Sequence, residues 1–466
     1  MSTRTVDHDR AGMIGADLRT STLEWYRKNR ARSREIFDLI SEEAYYSQPI
    51  ALRHPIVFYE GHLPAFSFNT LLKRALGRPS IDAELETLFA RGIDPDEGPR
   101  AEPRTASDHA ARWPARDVVR AFADEADRRI VDALLSADLE QPGHPLLDRA
   151  AAVFCLLEHE AMHQETLLYM WQRLPFEEKK KPVGYRARTH GATPAQEWID
   201  IPGGSVTLGV DRATIPFGWD NEFPARSVLT PDFAIERHDV TNERFLGFVE
   251  DGGYRDQRWW TPEDWQWLHV EAVAHPRFWE REGAVWYWRG MFDRLPLPLS
   301  WPAYVSLAEA SAFARWSGAR LPTEAEFQRA AYGSPRGHQS GQGERRYPWG
   351  SEAPSERTGV FDFAGWDPQP AGSHPAGASA WGVEDLVGNG WEWTCTPFAP
   401  FPGFQAMTAY PEYSADFFDG QHFVMKGASH VTARELLRPT FRNWFRARYP
   451  YVYATFRCVS DRARPR

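Results

Sequence analysis

Two histidines four residues apart, His159 and His163 in the run LLEHEAMHQETLLYM, are the side chains whose spacing most directly implies chemistry. On a helix that spacing puts both imidazoles on one face, where they can reach a common ion. Cys155, Leu156, Leu167 and Met170 lie on the same side and would turn it inward. Imidazoles brought together in an apolar interior are costly to charge, and a divalent cation gives both a reason to stay neutral. A pair of satisfied core histidines is the plain alternative. HEAMH also fits the HExxH pattern of zinc hydrolases, with Glu160 as general base. The extended form HExxHxxGxxH is absent, because Thr166 and Met170 occupy its glycine and last histidine positions. Glu165 sits only two residues past His163, on roughly the opposite side of the helix, and is a poor third ligand. A third ligand is better sought upstream. His62, in VFYEGHLPAF, and His54, eight residues earlier and about 80° around the helix, are the two candidates. Three neutral imidazoles leave open positions on an ion, which suits Fe(II) binding O2 and a substrate or zinc holding a water; spacing alone does not choose between them.

The elements that must hold these residues read as helices over the first 180 positions. Leu18, Leu23, Trp25, Tyr26, Ile36, Leu39 and Ile40 recur at helical spacing in a first long helix. A second, apolar helix runs from Pro55 to Leu76, with a kink or break expected at Pro64. Residues 116–137 and 146–173 supply two more, separated by the breaker run DLEQPGHP. Four helices point to an up-and-down bundle. From about residue 181 to 196 a charged and polar stretch reads as a linker. The rest, 197–466, reads as an irregular α+β domain of short strands, Gly/Pro turns and a few short helices such as SLAEASAFARWSG and TEAEFQRAAYG.

Composition narrows the function classes. The 466 residues are 42% hydrophobic and 25% charged, an ordinary globular balance, and long enough for two or three domains. A net charge of −10 without a basic block argues against nucleic acid as a partner. The 20 Trp point to aromatic-walled pockets or loop-rich packing. Cys155, Cys395 and Cys458 are widely spaced and form neither a disulfide framework nor a zinc knuckle. The N-terminal run lacks a signal-peptide apolar region and no segment approaches a bilayer span, so no membrane is expected and a cytoplasmic location is.

Taken in order, these segments resemble a known family. His62 with HxxxHxE resembles a DinB-type bundle. PGGSVTLG, DVTNERFLGFV, ARLPTEAEFQRAAYG and VGNGWEWT resemble the formylglycine-generating-enzyme (sulfatase-modifying factor, C-type-lectin-like) fold. The combination is similar to the ergothioneine-type sulfoxide synthases (EgtB), the ovothiol synthases (OvoA) and the selenoneine synthases (SenA). The resemblance implies a non-haem Fe(II) enzyme that uses O2 to join the imidazole carbon of hercynine (N-trimethylhistidine) to a chalcogen donor. It makes His62, His159 and His163 the iron ligands and Glu165 a supporting residue. Tyr410 falls at the tyrosine that manages a proton, and Tyr413 at a neighbouring substrate contact. Asn443 and Trp444, in RPTFRNWF, match the pair that holds the hercynine carboxylate and ammonium side.

Departures from the family pattern bear on the donor. Where γ-glutamylcysteine-using relatives carry an Asp for the donor ammonium, this chain has Phe445, and where they carry a glutamine before the second helix histidine it has Met162. Arg100 and Arg104 match the donor-carboxylate arginines poorly in spacing and context. Loss of these charges disfavours a zwitterionic dipeptide, which would bury unpaired groups. The chain therefore resembles the selenoneine synthases most, implying a selenosugar donor. An ergothioneine-type synthase using cysteine or γ-glutamylcysteine is the alternative, and an HExxH zinc hydrolase a remote one.

Overall fold

The computed structural model describes residues 18–90, 112–335 and 344–461. Arg100 and Arg104 lie outside the described residues. The chain forms two compact units. The first comprises the helical region up to Tyr185 together with two excursions from later in the chain, Ile215–Phe217 and Met407–Pro411; the second holds the remainder.

In the first unit, α1 (Leu18–Asp38), α2 (Ile56–Ser67), the short α3 (Ala83–Leu88), α4 (Arg116–Ser136) and α5 (Ala151–Trp171) are arranged so that α1 packs on α5 and α2 on both α4 and α5. Burial explains the composition of each helix. Every residue of α2 is buried, and α5 is nearly so, which is why both are apolar around most of their circumference. α1 and α4 are amphipathic and keep one polar face in water. The expected break at Pro64 does not occur. The α-helix runs through it to Ser67, and residues Phe68–Ala75 continue as a π-helix. Proline removes one N–H from the ladder, and this fully buried helix tolerates the loss because tertiary packing holds it on all sides. α5 begins at Ala151 rather than 146, because Arg149 and Ala150 both adopt left-handed backbone conformations (φ 55° and 54°).

The second unit is built of short strands: β1 (Trp198–Ile201), β2 (Gly204–Leu208), β3 (Arg226–Thr230), β4 (Phe233–Glu236), β5 (Trp279–Glu282), β6 (Val285–Arg289), β7 (Arg294–Pro296), β8 (Gly390–Pro397), β9 (His422–Ala428), β10 (Asn443–Arg446), β11 (Ala454–Thr455) and β12 (Val459–Ser460). They assemble into small sheets in the orders β1-β4-β12, β10-β9-β8-β11, β2-β3 and β5-β6-β7. The helices α6 (Asn242–Glu250), α7 (Pro262–Val270), α8 (Leu307–Trp316) and α9 (Glu324–Tyr332) lie between them in sequence. Ser306 and Thr323 close capping boxes with Glu309 and Glu326, which set the starts of α8 and α9. A core of Ile201, Phe233, Ile235, Phe327, Val383 and Val459 joins α9 to the first sheet. Among the described residues, no helix is long and apolar enough to cross a membrane.

Such thin sheets need polar ties. Arg457 is fully buried and donates to Glu392 at 2.6 Å and to Asp239 at 3.0 Å. Arg457→Met should strand two buried carboxylates and cost about 3–5 kcal/mol. Chemical denaturation followed by Trp fluorescence is the check; an unchanged midpoint would show that the acids have other compensation.

Candidate functional site

The site begins with the placement of α2 against α5. His62 on α2 and His159 and His163 on α5 face one another, with ring centroids 5.1 Å (62 to 159), 5.0 Å (62 to 163) and 4.5 Å (159 to 163) apart. One nitrogen from each ring falls within 4.8 Å of the others, and among the described residues no carboxylate or thiol joins that group. His54 stands apart, stacked on Phe58 at 4.2 Å.

Each imidazole is prepared to offer a lone pair. His62 Nδ1 lies 2.7 Å from the Phe89 carbonyl oxygen, which can only accept, so Nδ1 carries the proton and Nε2 is left bare. His62 Nε2, both ring nitrogens of His159 and Nδ1 of His163 are buried without a hydrogen-bond partner. Burial pushes the His62 pKa down to about 4, helped by the His54 charge and opposed by the Phe89 carbonyl. Burial likewise holds His159 and His163 well below the usual histidine range, and the neighbouring imidazoles add to the effect. Several orphaned nitrogens on neutral rings within a few ångströms of each other fit a divalent metal ion, which would satisfy one nitrogen on each ring at once.

The surroundings fix the rings. Phe66 stacks on His159 at 3.5 Å with only 10° between planes. Phe89 reaches α2 because position 61 is glycine: a Cβ there would come within 2.5 Å of the Phe89 ring. Tyr410, carried by the excursion Met407–Pro411, has its ring 5.2 Å from Phe66 and 6.0 Å from His159. Met162 is half-buried on α5 between the two histidines, and Glu165 is buried.

Glu160 is turned elsewhere. Its Oε1 accepts from Arg30 at 2.7 Å and from Ser33 Oγ at 2.6 Å, both on α1. Arg30 also pairs with Asp127 on α4 at 2.9 Å, and Tyr26 donates to Asp127 at 2.7 Å. A hydrolase of the HExxH type needs that glutamate beside a metal-bound water, so its engagement with α1 weighs against the zinc-hydrolase reading.

The other sequence candidates belong to the second unit. Tyr413 is buried and stacks on Trp219 at 3.8 Å; it meets Trp444 edge-on at 5.0 Å. Trp444 lies flat on Phe398 at 4.2 Å. Asn443 Oδ1 accepts from the Trp444 N–H at 2.9 Å. Phe445 stacks on Tyr449 at 5.2 Å. Trp219, Phe66, Gly61 and the Phe89 carbonyl were not singled out from sequence. A glycine inside an apolar helix was the available signal for Gly61; a backbone carbonyl leaves none.

Comparison with known proteins follows this geometry. The model of the sulfatase-modifying factor enzyme 1-like domain matches residues 186–462, and that of the DinB superfamily matches residues 26–167. The chain is 37% identical to a protein named hercynine oxygenase from Mycolicibacterium smegmatis over 333 residues, 70% of this chain and 73% of that one. It is 26% identical to ergothioneine biosynthesis protein 1 of Schizosaccharomyces pombe over 459 residues, 91% of this chain and 54% of the fungal one. It is also 30% identical to the formylglycine-generating enzyme of Mycobacterium tuberculosis over 315 residues, 57% of this chain and 98% of that one. Fold and comparisons together define a two-domain protein, a DinB bundle with a three-histidine cluster followed by a sulfatase-modifying-factor domain. Within that class, the chain belongs to the EgtB-type family of hercynine oxygenases.

The shifted histidines make a prediction for metal-free protein. His62 titrates near 4 in the fold against 6.5 unfolded, so between those values the unfolded chain holds the proton and the fold does not. Stability is complete above pH 6.5 and falls as pH drops toward 4, by about 3 kcal/mol from this group, with His159 and His163 adding in the same direction. Urea midpoints in EDTA between pH 7.5 and 4.5 measure it; His62→Gln should flatten part of the slope.

Proposed function

We propose that this chain is an O2-dependent synthase that joins the imidazole carbon of hercynine to a sulfur donor, with Fe(II) held by His62, His159 and His163. The observation that carries it is the convergence of three neutral imidazoles, each with a buried nitrogen lacking a hydrogen-bond partner, within 4.8 Å inside a chain of this family. Bound there, ferrous iron supplies open positions for O2 and substrate and the redox change that couples them. The overall reaction balances as imidazole C–H plus thiol S–H plus O2 giving a sulfoxide and water.

The protein's own residues do the rest. The Phe89 carbonyl keeps the His62 proton on Nδ1 so that Nε2 faces the ion. The Phe66 ring holds His159 in orientation and shields it from water. The Tyr410 hydroxyl is the proton donor beside the cluster, a role a phenol fills with little rearrangement. Asn443 and Trp444 are assigned to the carboxylate and ammonium side of hercynine, Tyr413 and Met162 to neighbouring substrate contacts.

A sulfur donor is supported by the names of the relatives, hercynine oxygenase and ergothioneine biosynthesis protein 1. A selenosugar donor is the second reading, and Phe445 is the observation that favours it. Its ring is engaged with Tyr449 and offers nothing to a donor ammonium, and a hydroxyl-rich sugar would need no such partner.

Two measurements test these readings. His62→Ala should abolish stoichiometric Fe(II) binding. Gly61→Ala, which displaces Phe89, should weaken it about 10–100-fold with the ligands intact; unchanged affinity in both would remove the cluster from the metal role. Anaerobic protein with Fe(II) and hercynine, offered cysteine, γ-glutamylcysteine and selenosugar together and then air, should give mainly a sulfoxide by mass spectrometry. A dominant selenium adduct would establish the second reading, and no adduct at all would sink both.

A further inference from the structure

The excursion Met407–Pro411 is the one piece of this site that arrives from far along the chain, and something must hold it against the helices. Arg74 does so. Its Nη1 donates to the Ala409 carbonyl at 2.8 Å and its Nη2 to the Thr408 carbonyl at 2.9 Å, the two carbonyls immediately before Tyr410. A planar guanidinium with fixed donor spacing can engage two consecutive carbonyls at once, and so sets orientation as well as distance. Met407 and Ala409 are buried beside it, while Tyr410 is half-exposed. The segment has no helix or strand of its own; inside it the Tyr410 N–H donates to the Met407 carbonyl at 3.2 Å.

The placement of Arg74 depends on the π-helix. Counted from Phe68, where the winding changes, each π residue advances less than the about 100° of an α-helix, so six residues on, Arg74 faces a direction an α-helical continuation would not give it. Phe66, on the last α-helical turn of the same element, has its ring against both Tyr410 and His159. One continuous element, residues 56–75, therefore provides His62, the ring that flanks His159, and the clamp on the Tyr410 segment.

We propose that Arg74 is a positioning residue: its fork on the Thr408 and Ala409 carbonyls holds the Tyr410 phenol in place beside the histidine cluster. The inference rests on Tyr410 acting as the proton donor of the proposed reaction, but the clamp itself is measurable without turnover. Hydrogen exchange by mass spectrometry should show the 407–410 amides of full-length Arg74→Met exchanging at least about tenfold faster than wild type, with thermal midpoint and Fe(II) affinity unchanged. Arg74→Lys, able to reach one carbonyl, should fall between, and Tyr410→Phe should leave exchange as it was. In turnover, Arg74→Met should lower kcat with KM for hercynine unchanged, and the double variant with Tyr410→Phe should be no slower than Tyr410→Phe alone. Unaltered exchange in Arg74→Met would overturn the clamp. Accelerated exchange with additive losses in the double variant would show that Arg74 acts on something other than Tyr410. A Tyr410→Phe enzyme that turns over normally, with exchange still accelerated in Arg74→Met, would instead sink the assignment of Tyr410 and leave the clamp standing.

Discussion

Three uncharged imidazoles packed against each other in an apolar bundle are the constraint on which the rest of the helical unit depends. Desolvation holds all three neutral, and several of their nitrogens are buried without hydrogen bonds. An unmet buried polar atom costs about 1–3 kcal/mol, so the arrangement is expensive unless an ion satisfies several nitrogens together. That accounts for how the neighbourhood is built. α2 and α5 are apolar around most of their circumference because they are buried on most sides, and their histidines converge on one place. Gly61 lets Phe89 close over His62, and Phe66 covers His159. The ring that must donate finds a carbonyl; the atoms that must accept an ion are left bare.

The same helix carries a second, separate polar face. Residues one past each histidine, Glu160 and Gln164, point at α1, where Arg30, Ser33 and the Asn29 carbonyl receive them. A 100° step per residue makes this division unavoidable: whatever follows a ligand on the helix belongs to the adjoining interface. Glu160 is thus part of a buried charge network, with Arg30 and Asp127, that ties three helices together behind the ligands. The HExxH pattern is met in letters, while the carboxylate serves the bundle.

How much of this was legible follows from what each feature depends on. The i, i+4 pair is local, and His159 and His163 could be read directly. Choosing His62 over His54 needed either a family resemblance or the packing of α2, since both lie in the same apolar stretch. The helices in SLAEASAFARWSG and TEAEFQRAAYG of the second domain were readable because capping boxes and apolar spacing are themselves local. The uninterrupted passage through Pro64 was not, because it rests on tertiary burial, every residue of that helix being buried. The left-handed pair Arg149–Ala150 carries no compositional signal at all, neither residue being one that favours that conformation. Nor could a linear boundary express that Met407–Pro411 is grouped with helices more than two hundred residues earlier.

Membership of the family and choice of donor rest on different residues, and they separate physically. The three histidines and the bundle core are constrained by mutual packing. A donor's charged group needs only one or two partners, and stranding it costs about 1–3 kcal/mol, a discrimination of roughly tenfold to two-hundredfold. Phe445 sits on a short strand, paired through its backbone to Phe423 and stacked on Tyr449, so its side chain is replaceable without disturbing β9 or β10. A single position of that kind can change which charged groups a substrate could pair with, without touching the histidine cluster of the helical unit. The 37% identity to a hercynine oxygenase, over 70% of this chain, therefore speaks for the family, and leaves the proposed donor preference to single side chains such as Phe445.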